Sequence, residues 1–188
     1  MAHLFAAADL GASSGRVIVG TLHDGRFDLQ AVRRFPNGPV PGPGGGSIRT
    51  DAVGLMEQIR LGLDEALARH GSLAGVGIDT WGVDYGRITP AGGLVEPPFH
   101  YRDDRTTGIP EELFETLPAA DLYAESGLQV MPFNTLFQLV ADAHARLDWA
   151  AVRTILLTPD LINHWLSGVE AAEVTIASTT GLLRVADR

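Results

Sequence analysis

Cysteine and lysine are both missing from these 188 residues. Without a thiol the chain holds no cysteine nucleophile and no Cys-ligated zinc; without lysine it holds no Schiff base and no Walker-type phosphate lysine. All fourteen basic residues are therefore Arg. Long apolar runs are missing too, since none approaches the ~18 residues of a membrane helix. At 45% hydrophobic and 20% charged the chain is nevertheless too apolar for disorder. Positive charge is scarce: 23 acidic residues against 14 basic ones give a net charge of -9, which repels a polyphosphate backbone and argues against a nucleic-acid partner. A small anionic ligand stays compatible, because backbone amides and one or two Arg hold phosphate even in an acidic protein. The six His show no HxH or HExxH spacing, so metal catalysis through histidine is not indicated. The N-terminus Met1-Ala2-His3-Leu4-Phe5 lacks a basic segment, and its apolar run meets Asp9 before any cleavage-like site. No signal peptide is read there, and a cytoplasmic location without membrane attachment is expected.

What is present fits one compact α/β domain of ordinary size with its own core. Leu4 to Ala8 and Val17 to Leu22 read as hairpin-paired strands around the Gly11–Gly15 turn, and Phe27 to Phe35 as a third strand. Pro36 to Ser47 holds four Pro and five Gly in twelve residues and reads as a loop. Leu55, Ile59, Leu63 and Leu67 recur at helical spacing after Asp51, with Gly71 as the closing cap. Gly75 to Asp79 reads as a buried strand, and Thr89 to Gly93 as the turn of a second hairpin. Helices are predicted over 110–116, 119–125, 135–146 and 159–166, with a strand at Thr154 to Leu157 between them. A mixed sheet begun by an antiparallel meander and flanked by helices is the ribonuclease-H-like, actin or hexokinase type of arrangement.

Several clusters carry polar chemistry. Asp9-Leu10-Gly11-Ala12-Ser13-Ser14-Gly15-Arg16 stands at the end of the first strand, where glycines and small residues expose N–H groups and two hydroxyls to one anion, with a guanidinium alongside. Asp9 would there hold Mg²⁺ opposite the phosphates. The alternative is an ordinary polar hairpin turn. Asp79-Thr80-Trp81-Gly82-Val83-Asp84 sets two carboxylates, an indole and a glycine just past a strand, as a sugar pocket needs. It also reads as a strand bend with Trp81 in the core and Asp79 capping a neighbour. Tyr101 to Thr106 alternates charge, as an ion-paired surface or interdomain segment does. Asn134 is placed as the N-cap of the helix that follows, and only second as a ligand.

Taken together, Asp9 to Arg16, Gly77 to Asp84, Tyr101 to Thr106, Met131 to Leu139 and Thr158 to Gly168 resemble, in order and spacing, the rhamnulokinase branch of the FGGY carbohydrate kinases. The resemblance spans nearly the whole chain and implies ATP and Mg²⁺ as cofactors and a ketose, L-rhamnulose, phosphorylated on its 1-hydroxyl. A kinase for another ketose, or a non-catalytic sugar-binding or dimerising module, is the alternative. By the same resemblance Ala12, Ser13, Ser14, Gly15 and Arg16 match the ATP-binding segment, Asp9 the metal-and-phosphate carboxylate, and Gly82 the sugar contact. Trp81, Asp84, Phe133 and Asn134 are further sugar-side candidates. Residues 40–47 are richer in Gly and Pro than the family pattern, and Tyr85-Gly86 stands where an aromatic and an aliphatic residue are expected. Family members also carry a second domain with the general base and adenine pocket. By that resemblance residues 1–188 are expected to be the sugar-side N-terminal domain, inactive by itself, with the C-terminal domain as its partner and a face prone to self-association.

Overall fold

The structure is a computed structural model and describes residues 3–187; Met1, Ala2 and Arg188, which enter the readings above, lie outside the described residues. In chain order come β1 (His3–Leu10), β2 (Ser14–His23), β3 (Arg26–Pro36), β4 (Pro39–Pro41), β5 (Ile48–Thr50), α1 (Ala52–His70), β6 (Gly75–Asp79) and β7 (Tyr85–Ile88). Then follow α2 (Ile109–Phe114), α3 (Ala119–Ser126), α4 (Thr135–His144), β8 (Thr154–Leu157), α5 (Thr158–Ser167) and α6 (Val174–Ala177). The chain divides into two compact units, one of residues up to Gly38 plus Asp51–Trp81, the other of Pro39–Thr50 plus everything from Gly82.

The first unit is the predicted mixed sheet. β1, β2 and β3 form an antiparallel meander, and β6 pairs parallel with β1, giving the order β3-β2-β1-β6. Alternation along β1 and β2 sends Ala6, Ala8, Leu10, Val17 and Val19 to one buried face. α1 covers that face with Leu55, Ile59, Gly62 and Ala66. Gly62 permits the approach, since a Cβ there would lie 2.4 Å from the Val17 methyl. Leu67, expected on the inner face, is 43% exposed because the buried stripe follows the 3.6-residue period through Gly62 and Ala66 instead. The helix begins where the Asp51 carboxylate accepts the Gly54 N–H at 2.9 Å and ends at Gly71, whose φ of +81° suits glycine.

Gly75–Asp79 is a strand, but not a buried one: Val76 is 44% exposed, and Gly77 and Asp79 are exposed. β6 is an edge strand of this sheet, and α1 packs on β1, β2 and β3. An apolar parallel strand reads as interior from its sequence, whatever neighbours it meets.

In the second unit β7 and β8 pair antiparallel, and so do β4 and β5. The Pro- and Gly-rich stretch read as loop thus contains β4, paired to the strand just beyond it. The second hairpin shrinks to an isolated bridge, Ile88 with Leu94, held by the Val95 N–H donating to Arg87 O at 2.9 Å and the Thr89 N–H to Gly93 O at 2.8 Å. Ile109, Leu122, Phe137 and Ala141 form a helical core, with Phe114 edge-on to Phe137 at 6.1 Å.

Candidate functional site

Three residues, Gly11 to Ser13, join β1 to β2, closed by the Gly11 N–H donating to Ser14 O at 2.9 Å. Asn37 staples the turn from outside: its side-chain amide donates to Gly11 O at 2.6 Å, and its own N–H to Ser13 O at 3.1 Å. Asn37 lay in the stretch read as loop, with no local signal of this role. Gly15 is buried for a packing reason, since a Cβ would fall 2.2 Å from the Phe35 ring. Ala12, Ser13 and Ser14 are exposed.

Strand register gathers charge at this end of the sheet. Asp9 stands opposite Arg16 on β2 and beside Asp79 on β6, and Arg16 stands opposite Arg34 on β3. Paired residues share a sheet face, so two carboxylates and two guanidiniums make one row. Arg16 Nε donates to Asp9 Oδ2 at 2.8 Å, with side chains 44% and 31% exposed. Among the described residues no group of three or more His, Asp or Glu assembles as a metal site. Mg²⁺ carried with phosphates asks for only one or two protein carboxylates. The Asp9 and Asp79 donor set fits such an ion. Asp79, read from sequence with the second cluster, belongs by register with Asp9.

Trp81 is half-buried at the end of the first unit, and the Thr80 hydroxyl donates to its carbonyl at 2.7 Å. In the second unit Gly82 is half-buried and its neighbour Asp84 fully buried. Asp84 Oδ2 accepts the Tyr101 N–H at 3.2 Å, and its backbone carbonyl accepts the Thr158 N–H at 3.1 Å. Tyr101 stacks on His100 at 4.4 Å and meets the Phe133 ring edge-on at 5.9 Å. Asn134 occupies the N-cap position of α4, but its side chain does not cap the helix. Its Oδ1 accepts the Met131 N–H at 2.7 Å, and its Nδ2 reaches Thr179 O at 3.5 Å, because the preceding loop folds back onto it.

Behind these residues lies a polar web. On α4 Thr135, Gln138 and Asp142 are buried at helical spacing. Gln138 Nε2 donates to Val83 O at 3.2 Å and Phe133 O at 3.0 Å, while its Oε1 accepts from Arg105 at 2.9 Å. Asp142 accepts the Tyr85 hydroxyl at 2.5 Å and pairs with Arg105. The Tyr101–Thr106 segment exposes Arg102 and Asp104 and anchors its other charges inward: Asp103 Oδ2 accepts the Ile48 N–H at 2.6 Å, and Arg105 lies 3.7 Å over the Phe99 ring, whose other guanidinium neighbour, Arg49, is at 3.3 Å. Burial, followed by the Asp142 carboxylate, pushes Tyr85 well above the ordinary tyrosine value. Burial also pulls Arg49 and Arg87 below the arginine value and His100 below 6.5, with Arg102 adding to the last. The signal for Gln138 and Asp142 was polar residues in the apolar phase of a helix.

A family model described as the N-terminal domain of the FGGY family of carbohydrate kinases matches residues 4–188. The chain is 40% identical over 182 residues to a protein named rhamnulokinase from Bacteroides thetaiotaomicron, covering 95% of this chain and 37% of that one. A rhamnulokinase from Bacillus subtilis is 37% identical, with 97% and 37% covered. The chain therefore spans little more than a third of the length of these curated relatives. The crystal structure of a gluconate kinase from Lactobacillus acidophilus superposes with a TM-score of 0.83 at 13% identity, over 98% of this chain and 37% of that one. A likeness at that identity speaks for the fold alone, and the fold is the mixed α/β, ribonuclease-H-like one read from the sequence.

Proposed function

The chain belongs to the FGGY family of carbohydrate kinases, and from that membership we propose that its parent protein transfers the γ-phosphoryl group of ATP to the 1-hydroxyl of L-rhamnulose in the cytoplasm. The observation that carries this reading is the similarity to rhamnulokinases along 95% of the chain. In the proposal these residues are the sugar-side N-terminal domain, and a C-terminal domain supplies the adenine pocket and the general base.

The β1–β2 turn supports the nucleotide part. The exposed Ala12, Ser13 and Ser14 offer backbone N–H groups, and the two serines hydroxyls, to phosphate oxygens, while the buried Gly15 packs the turn against Phe35. The Arg16 fork, on an exposed carboxylate, exchanges that partner for a phosphate, which it also engages bidentately. Asp9, with Asp79 beside it, would hold Mg²⁺, whose charge neutralises the phosphates when bound. On the sugar side, within the second unit, Gly82 presents half-buried backbone and Phe133 flat apolar surface, while Trp81, at the end of the first unit, offers an indole face. Asp84 and Asn134 act by holding the Tyr101 and Met131 loops, to which their side chains are bonded.

The test is coupled ADP release by the full-length parent on a panel of ketoses with ATP and Mg²⁺. Turnover fastest with L-rhamnulose is expected. Preference for a different ketose reassigns the substrate, and no turnover on any sugar overturns the kinase reading in favour of a sugar-binding or dimerising module. The 188 residues alone should not turn over, because closure around both substrates excludes water and aligns the hydroxyl with the γ-phosphate.

A further inference from the structure

Among the described residues outside glycine, positive φ occurs at Asp24, Val83 and Arg146, and only Val83 is β-branched. Its φ is +70°, and across it the Asp84 N–H donates to Gly82 O at 2.9 Å. This is a three-residue γ-turn in its rare, strained form. Such backbone persists only where its surroundings over-determine it.

Here they do so from both sides. The peptide before Val83 is held by Thr179, whose Oγ1 accepts the Val83 N–H at 3.2 Å and donates to Ile176 O at 2.8 Å. The peptide after it is held at Val83 O by the Thr135 hydroxyl at 2.8 Å and by Gln138 Nε2 at 3.2 Å. Thr179 also fills the space that a side chain at position 82 would need, since a Cβ on Gly82 would lie 2.5 Å from Thr179 Oγ1. The half-buried Gly82 thus sits at the front of a clamp made by α4 and the 178–180 turn.

We propose that Thr179, Thr135 and Gln138 are positioning residues for the sugar acceptor, holding the strained Gly82–Asp84 turn in the one geometry that receives the ketose. The inference rests on the sugar-kinase reading with Gly82 at the sugar. None of the three needs to touch the sugar. A hydroxyl that holds a turn on the acceptor side acts on ketose affinity and leaves the nucleotide alone.

The experiment compares T179V, isosteric but without the hydroxyl, with T179S, which keeps it, in the full-length parent. Ketose and ATP are varied separately, and each variant's Tm is measured. With both part-buried hydrogen bonds of the hydroxyl gone, T179V should raise the ketose KM about tenfold and leave the ATP KM within about twofold. T179S should restore the ketose KM to within about threefold of wild type. An unchanged ketose KM with a lowered Tm, or ketose and ATP KM rising together, would overturn the proposal. If T179V does not fold, T135V against T135S is read in the same way, on the other peptide of the turn. Absence of wild-type turnover on every sugar would instead sink the kinase reading and the inference with it, a result distinct from an active parent whose variants leave the ketose KM alone.

Discussion

At the end of β1 the Asp9–Arg16 pair lies with side chains 31% and 44% exposed, whereas Asp142 on α4 is 1% exposed and gathers Tyr85, Arg87 and Arg105. Both regions join acids to arginines. In the first, water still solvates the charges, so the pair is worth little and exchanges partners readily. In the second, desolvation has been met by fixed partners, and losing one partner leaves the others stranded. In the proposed reading, binding capacity belongs to the exposed row, and the shape of the acceptor side to the buried web.

The sharpest way to break this contrast is D142A. It takes the only carboxylate partner from the largely buried Arg105 among the described residues and leaves Arg87 with Glu96 alone, and should cost about 3 kcal/mol in chemical denaturation. A loss below about 1 kcal/mol would place Asp142 in the same class as the surface pair. Next comes G15A, whose added methyl would fall 2.2 Å from the Phe35 ring. Overpacking of that kind costs about 1–3 kcal/mol; a melt matching wild type would mean that Phe35 moves aside freely.

A smaller effect is expected from pH. His100 is held below its ordinary 6.5, first by burial and then by Arg102, so the unfolded chain takes up its proton before the folded one does. The stability His100 contributes is complete above about pH 6.5 and is lost as pH falls from there toward the lowered folded value. The Tm should drop between pH 7.5 and 5.5, and H100Q should flatten that slope. Equal slopes would assign the drop to other groups. Asp160, raised above 3.8 mainly by burial, runs the other way, favouring the fold below its raised value and losing that contribution as pH rises through it.

The smallest stability change is expected for D9A and R16A, within about 1 kcal/mol of wild type because the pair is exposed. Activity reverses the ranking. In the full-length parent D9A should mainly lower kcat, and R16K should not rescue the loss seen in R16A, since a point charge does not replace a fork. Wild-type kinetics in both would return the segment to a plain hairpin turn.

Elements whose cause is local were legible in the chain. The hairpin that sets Asp9 opposite Arg16 follows from two alternating strands and a short Gly and Ser turn, and α1 from its cap at Asp51, its apolar spacing and Gly71. Each depends on residues within a turn or two of one another, so composition and spacing decide it. The exposure of β6, the pairing of β7 with β8 and the inward anchoring of Arg105 have distant causes. No period along the chain reports which strand will be an edge or which helix will bring an acid to an arginine. Asp79 joins Asp9 only because β6 returns parallel to β1 after α1, and Thr179 meets Val83 only because the chain comes back after nearly a hundred residues. The sequence by itself determined the short Gly and Ser turn and the sheet it grows from. Tertiary structure decided the four-strand charge row and the clamp behind Gly82, because both are made of hydrogen bonds and strand registers between segments that local propensity treats as independent.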